Sequence, residues 1–240
     1  MRIPDHGGLC IESFKCVITN WDYIYNLCRN VSTEIKRSGY EPDVIIALAR
    51  GGWFAGRVLC DFLGIDDLSS LKVEHYIGAT AIETGEPYIR YPLSDDVMGG
   101  KKVLIVDDIV DTGKSMLSAK TYVESRNPTE VKTASLQYLG SSQIDPDYVG
   151  ERLEDWAWIV YPWNFMEDMI SILTKCMRKN PKKSWNIEDL KHSLYINHNL
   201  DSIVFEVTQP GRLPEILEEM ERVRRVSSEI INGKKHWRLL

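Results

Sequence analysis

The sequence predicts an α/β fold, a mainly parallel five-stranded sheet with helices on both faces, followed by a helical C-terminal extension. Three observations carry that expectation. Short apolar, β-branched runs recur at residues 44–49 and 103–106, as they do in strands buried on both faces. Each run is followed by a glycine-containing turn and then by apolar residues at helical spacing, the order of a crossover unit that keeps strands parallel. From residue 166 onward the strand-like runs stop and helical spacing dominates, which divides the chain into a core domain, 1–165, and a C-terminal domain, 166–240.

Residues 20–38 read as an amphipathic helix. Asn20 is placed to cap it, Ile24, Leu27, Cys28, Val31 and Ile35 share a face, and Gly39 ends it. The run 44–49 is the first core strand. Arg50-Gly51-Gly52 turns the chain into a helix through Phe54, Val58, Leu59 and Phe62, which stops at Gly64. A shorter strand is expected over 71–76. Residues 77–100 hold Gly78, Gly85, Pro87, Pro92, Gly99 and Gly100 with little periodicity, the composition of a lid or an exposed hairpin. Strands at 131–139 and 156–160 complete the sheet, separated by the polar stretch 141–155.

The C-terminal third shows helical spacing at Met166, Met169, Ile170, Leu173 and Met177. A second helix opens at Ser184 and runs through Ile187, Leu190 and Leu194, and a third passes through Leu213, Leu217, Met220, Val223 and Val226. Three such helices form a bundle. The Asn232-Gly233 pair offers a hairpin turn as well, and helices followed by a hairpin would resemble a winged helix.

Composition bounds the class. Of 240 residues 43% are hydrophobic, enough for a packed core, and the apolar runs are far shorter than a bilayer requires. The N-terminal residues do not read as a signal peptide, so a cytoplasmic location is expected. Five cysteines without CxxC spacing predict reduced core residues rather than a disulfide or zinc framework. The net charge of −6 is uneven: residues 1–165 carry 16 Lys+Arg against 24 Asp+Glu, and residues 166–240 carry 13 against 11. An acidic whole makes nucleic acid an unlikely partner, while the interleaved charges of the tail suit a solvated helix face.

The chemistry concentrates in residues 103–116, Val-Leu-Ile-Val-Asp-Asp-Ile-Val-Asp-Thr-Gly-Lys-Ser-Met. A buried strand delivers Asp107 and Asp108 to its carboxyl end, and Thr112, Gly113, Lys114 and Ser115 then offer hydroxyls and backbone N–H groups where a helix begins. Such a helix start binds phosphate. Two carboxylates cannot also hold phosphate, because like charges repel, so they suit neutral hydroxyls or a metal-bridged group beside it. A sugar phosphate satisfies both halves.

At these residues the sequence resembles the type I phosphoribosyltransferases, whose signature is an apolar strand, two acidic residues, two apolar residues and Asp-Thr-Gly-Lys-Ser/Thr. The resemblance implies that family's fold and its donor, 5-phosphoribosyl-1-pyrophosphate (PRPP). Asp107 and Asp108 would take the ribose hydroxyls, and Asp111, Thr112, Gly113, Lys114 and Ser115 would wrap the 5′-phosphate. Ala49, Arg50, Gly51 and Gly52 look like the family's pyrophosphate loop, which often contains a non-proline cis peptide. The resemblance further implies a mobile hood at 77–100, with Tyr76 matching a tyrosine near its start, and Arg90 as a possible contact to the diphosphate. Asp111, Arg50 and Tyr76 are thus the expected catalytic residues, Asp111 as acid/base beside the purine N7 or, more simply, as a cap of the next helix. Mg²⁺ is implied as a cofactor held mainly by PRPP, with pyrophosphate and a nucleoside monophosphate as products and a homodimer as the assembly.

Residues 158–164, Trp-Ile-Val-Tyr-Pro-Trp-Asn, resemble the base-lining segment of the xanthine-guanine members, which places Trp158 and Ile159 at the purine together with Ile109 of the main motif. One departure stands out. The 6-oxopurine members carry a lysine on the preceding strand that donates to O6, and residues 133–142 here contain none. A 6-oxo group needs a donor and a 6-amino group an acceptor. Adenine is therefore favoured, with Gln137, Ser141 or a backbone carbonyl as acceptor. Hypoxanthine, guanine or xanthine remains the alternative, served by backbone donors. A PRPP-sensing transcriptional regulator with a winged C-terminal domain is the rival from another class.

Overall fold

The computed structural model describes residues 13–74 and 87–240. In chain order its elements are β1 (Cys16–Ile18), α1 (Trp21–Ser38), β2 (Val44–Leu48), α2 (Gly52–Leu63), β3 (Leu68–Leu71), β4 (Val73–Glu74), β5 (Tyr88–Ile89) and β6 (Lys102–Val110). There follow α3 (Lys114–Glu124), β7 (Glu130–Leu139), β8 (Tyr148–Leu153), β9 (Trp158–Val160), α4 (Phe165–Arg178), α5 (Ile187–His198), α6 (Ser202–Thr208), α7 (Arg212–Arg222), β10 (Val226–Ile231) and β11 (Lys234–Leu239). Two compact units result: Asp22–Trp156, and residues 13–21 with Ala157–Leu240. The division differs from the expected boundary at 165 because β1 pairs in parallel with β9, Cys16 opposite Trp158 and Ile18 opposite Val160, so both strands join the C-terminal helices.

The unit Asp22–Trp156 is built on a five-stranded sheet in the order β3-β2-β6-β7-β8, every pair parallel. All five residues of β2 are buried, as the unbroken apolar run predicts for a strand covered on both faces. Ile24, Leu27, Cys28, Val31 and Ile35 of α1 are buried together, the face expected from their spacing. Met116, Ala119 and Val123 of α3 pack with Val103, Ile105 and Tyr138 in one core cluster.

Two strands lie elsewhere than expected. The fifth strand of the sheet is β8, inside the stretch read as a polar connection, and residues 158–160 pair outside this sheet. An edge strand has one neighbour and needs few apolar residues, so Tyr148–Leu153 carries little strand signal. The strand expected over 71–76 is displaced to Leu68–Leu71. Val73–Glu74 instead pairs antiparallel with β5, and residues 75–86, including His75, Tyr76 and the first part of the expected hood, lie outside the described residues.

The described remainder of that stretch is anchored to its unit. The Leu93 N–H donates to the Tyr122 hydroxyl at 2.8 Å, that hydroxyl donates to the Leu93 carbonyl at 3.0 Å, and the Met98 side chain is fully buried.

In the other unit Phe165, Met169, Ile172 and Leu173 of α4 share a core with Leu190, Leu194, Ile216, Leu217 and Trp237. A capping box opens α5: the Asp189 N–H donates to Asn186 at 2.9 Å, and the Asn186 N–H to Asp189 at 3.3 Å. The expected three-helix bundle is corrected to four helices and a hairpin. The seven-residue α6 was not legible as a helix, because Ile203, Val204 and Val207 are exposed on it and blur the amphipathic pattern. The helix expected to reach Val226 ends at Arg222, Arg224 takes φ 57°, and β10 and β11 pair antiparallel around Asn232 and Gly233 at φ 51° and 76°.

The described cysteines, Cys16, Cys28, Cys60 and Cys176, are buried and unbridged, and burial pushes the Cys16 and Cys28 thiols up to about 12.

Candidate active site

Parallel pairing of β2 with β6, Val44 opposite Val103 and Ala47 opposite Val106, brings the carboxyl ends of two strands side by side. Ligands of open α/β sheets bind at that edge. The loop after β2 therefore lies against the acidic pair near the carboxyl end of β6. A Cβ on Gly51 would overlap the Asp108 carboxylate, and one on Gly52 would fall 2.6 Å from the Val106 carbonyl oxygen and 3.3 Å from Asp107 Oδ1. Only glycine lets the two segments approach so closely. The Ala49–Arg50 peptide between them and β2 is cis, and the Arg50 side chain is exposed.

Gly52→Ala should accordingly displace the β6 end and destabilise the fold by about 1–3 kcal/mol, the usual range for overpacking. Urea unfolding of the two proteins measures it.

The acidic pair is held by its own backbone. The Asp108 N–H donates to Asp107 Oδ1 at 3.0 Å, and the Ile109 N–H to Asp108 Oδ1 at 2.9 Å. Burial pushes both carboxyls up, and for Asp107 the neighbouring Asp108 charge adds to the effect. An acidic pair in this state gains from a ligand whose hydroxyls replace lost water.

The turn after β6 is formed by glycine. Gly113 is the N-cap of α3 at φ 79°, and a Cβ there would meet Ser142 and come 2.8 Å from Ile144 Cγ2. The Gln143 N–H donates to the Thr112 carbonyl at 3.1 Å, which ties this turn to the loop after β7. Gly113, the N-cap of α3, has no side chain with which to cap it, and the leading N–H groups of a helix lack intrahelical partners. Lys114 and Thr112 are exposed, and Asp111 and Ser115 are half-buried.

The expected base residues separate. Ile109 pairs with Gln137 across β6 and β7, and Gln137 with Glu151 across β7 and β8. Gln137 is 1% exposed, and its amide nitrogen donates to Glu151 Oε2 at 2.7 Å and to the Tyr23 hydroxyl at 3.0 Å. Glu151 and Tyr23 were not anticipated, since each stands alone in sequence and meets Gln137 only through sheet register and helix packing. Trp158 and Ile159 belong to the other unit. Trp158 is 4% exposed, within the core that includes Phe165 and Trp237, with the Phe14 ring 6.3 Å away.

Arg90 is engaged by Glu74 across the β4–β5 pair, its Nη1 2.7 and 3.0 Å from the two carboxylate oxygens. With Lys72 at 2.8 Å, it holds the Glu74 carboxyl down to about 2.

A phosphoribosyl transferase domain model matches residues 18–167. The chain belongs to the type I phosphoribosyltransferases, in their purine branch. Among its relatives, the hypoxanthine-guanine phosphoribosyltransferase of Sus scrofa is 39% identical over 183 residues, spanning 69% of this chain and 80% of that protein. The xanthine-guanine phosphoribosyltransferase of a Ruegeria species is 27% identical over 171 residues, 68% of this chain and 89% of that protein. A solved purine phosphoribosyltransferase from Pyrococcus horikoshii superposes with a TM-score of 0.54 at 31% identity, covering 62% of this chain and 93% of that one. The match accounts for the β2 and β6 loops and leaves most of α4 to β11 outside it.

No described helix is long and apolar enough to cross a membrane.

Proposed function

We propose that this phosphoribosyltransferase moves 5-phosphoribosyl from PRPP to adenine, giving AMP and pyrophosphate. The observation that carries the donor half is the contact of the Gly51-Gly52 turn with Asp107 and Asp108, which sets a diphosphate loop beside two hydroxyl acceptors. Asp107 and Asp108 receive the ribose hydroxyls. Thr112, Gly113, Lys114 and Ser115 hold the 5′-phosphate at the start of α3, and Ala49, Arg50, Gly51 and Gly52 hold the diphosphate. Charge develops on the departing diphosphate, and Arg50 stabilises it there.

Mg²⁺ would be held mainly by PRPP's own oxygens, with the carboxylate oxygens of Asp107 and Asp108 suited to it through water, and would supply neutralisation of diphosphate charge. A homodimer is proposed with this reading, checked by size exclusion with light scattering.

Asp111 is the proposed acid/base at the purine imidazole. Its support is the half-buried position beside the phosphate turn, where a carboxylate stays reachable. Asp111→Asn should lower kcat by about 10²–10⁴, the range of a positioned acid or base. Wild-type turnover at saturating substrate would remove it from the mechanism.

Adenine is proposed over the 6-oxopurines because residues 133–142 hold no lysine, although the relatives named above carry hypoxanthine, guanine or xanthine in their names. Incubation of the protein with PRPP, Mg²⁺ and each purine tests the reading. Consumption of hypoxanthine or guanine ahead of adenine would move the preference to the 6-oxopurine class.

One observation favours a second reading. The short α6, a turn through Pro210-Gly211, α7 and the β10–β11 hairpin follow the order of a winged helix, as a PRPP-sensing regulator would need. Against it, α7 exposes Glu215 and Glu218, which would repel a phosphate backbone. Steeply salt-dependent DNA affinity without purine turnover would reverse the order of the two readings.

A further inference from the structure

Register alone places an unassigned carboxylate beside the donor site. Ile109, Gln137 and Glu151 form one row across β6, β7 and β8, and Ile109 stands between Asp108 and Asp111 in the main motif. At the ~4.8 Å spacing of neighbouring strands, the Glu151 backbone lies roughly 10 Å from Ile109, and both residues are only partly buried while Gln137 between them is buried, so a flat base would reach Glu151 along the strand ends and not over the row.

The carboxylate is fixed by two neutral donors. Gln137 Nε2 donates to Glu151 Oε2 at 2.7 Å, and the Tyr23 hydroxyl, from the first turn of α1, donates to the same oxygen. Tyr23 in turn accepts from Gln137 at 3.0 Å, which closes a three-membered ring. The backbone beneath is held too, because the Ser135 hydroxyl donates to the Gln137 carbonyl at 2.5 Å. Burial, and then the Glu151 carboxylate, push the Tyr23 hydroxyl above its ordinary range, so it stays a donor.

Both donors use Oε2, and no described lysine or arginine forms an ion pair with Glu151. The Gln137 amide nitrogen has spent its two protons on the ring, so it cannot also donate to a 6-oxo group. What the cluster offers a ligand is a carboxylate oxygen, an acceptor only. It rewards a donor and opposes a carbonyl oxygen placed against it.

We infer that Glu151, oriented by Tyr23 and Gln137, determines base specificity by accepting a hydrogen bond from the exocyclic amino group of a 6-aminopurine. This rests on the phosphoribosyltransferase reading and adds to it the group that reads the base. Tyr23 and Gln137 are positioning residues. Adenine presents an amino donor and an unprotonated N1 where hypoxanthine presents a carbonyl and an N1–H, so their ratio reports how Glu151 reads that edge.

The experiment is kcat/KM for adenine and hypoxanthine in the wild type, Glu151→Gln and Tyr23→Phe. The wild type should prefer adenine. Glu151→Gln, which replaces half of the acceptor by a donor, should lower the adenine-to-hypoxanthine ratio by about ten- to a hundredfold, the scale for one buried group of the wrong sense. Tyr23→Phe keeps the carboxylate but loosens it, and should raise KM for adenine several-fold more than KM for hypoxanthine, with a smaller effect on kcat than on KM. Should Glu151→Gln fail to fold, the base-selective KM effect of Tyr23→Phe decides alone. A parallel loss with both bases, an unchanged ratio, or a wild type that prefers hypoxanthine overturns the assignment and leaves the enzyme intact. No turnover of any purine by the wild type overturns the assignment together with the reading beneath it.

Discussion

Replacing Asp107 and Asp108 together by asparagine should cost roughly three decades or more in kcat/KM and, at neutral pH, make the free protein more stable. The two effects share a cause. On the proposed reading each carboxylate would face a ribose hydroxyl in a charge-assisted hydrogen bond, and such bonds are worth about 1.5–3 kcal/mol apiece. Asparagine keeps the side-chain oxygen that accepts the Asp108 and Ile109 N–H groups at 3.0 and 2.9 Å, so the strand end is preserved while the charge goes.

The stability sign follows from proton binding. Both carboxyls are raised, by burial first and for Asp107 also by the Asp108 charge, so the folded state binds more protons than the unfolded chain between about pH 4 and the raised folded values. Wild-type stability therefore falls as pH rises through that window, and the full penalty remains above it. The variant escapes the penalty. Its thermal midpoint should exceed the wild type's at pH 7–8, and the difference should vanish below about pH 4, where both carboxyls are protonated in either state. Equal midpoints at neutral pH would show that the pair is not electrostatically strained, and unchanged kcat/KM would remove it from the donor site.

Trp158→Ala should cost about 3–5 kcal/mol of folding free energy, the range for truncating a large buried aromatic. The ring is 4% exposed and sits in the core formed by α4, α5, α7 and the hairpin, where Cys16 and Phe165 share its cluster. Alanine leaves a cavity that neighbours on a paired strand cannot fill. The base-stacking role suggested by its resemblance to the xanthine-guanine members needs a separate readout, because truncation confounds the two. Trp158→Phe keeps an aromatic face and most of the volume. A raised KM for the base with an unchanged urea midpoint would support stacking, whereas a lowered midpoint with unchanged KM would identify a core residue. Urea unfolding paired with steady-state rates distinguishes them.

The sequence by itself determined a parallel α/β core, the buried face of α1, and the chemistry at the carboxyl end of β6 and in the turn that follows. Each is a local code: an unbroken apolar strand, a period of 3.6 residues, and carboxylates, a glycine and hydroxyls consecutive in the chain. The proposed adenine preference, too, began as a sequence observation, the absence of a lysine from residues 133–142.

Tertiary structure decided what depends on neighbours. The edge strand β8 pairs with β7, and its apolar residues Tyr148, Val149 and Leu153 are interrupted by Gly150, Glu151 and Arg152, which breaks the run that marks a buried strand. The segment 158–160 is a strand, but its partner is β1, some 140 residues earlier, and nothing in either sequence specifies that pairing. Three residues far apart in the chain, Tyr23, Gln137 and Glu151, become one hydrogen-bonded ring only when sheet register and the seat of α1 bring them together. Gln137 illustrates the difference most clearly: the chain showed a polar side chain without a lysine near it, and only packing directed its two amide protons to a tyrosine and a carboxylate. Long-range hydrogen bonds carry no sequence period, so the Tyr23–Gln137–Glu151 ring could be found only in the folded chain.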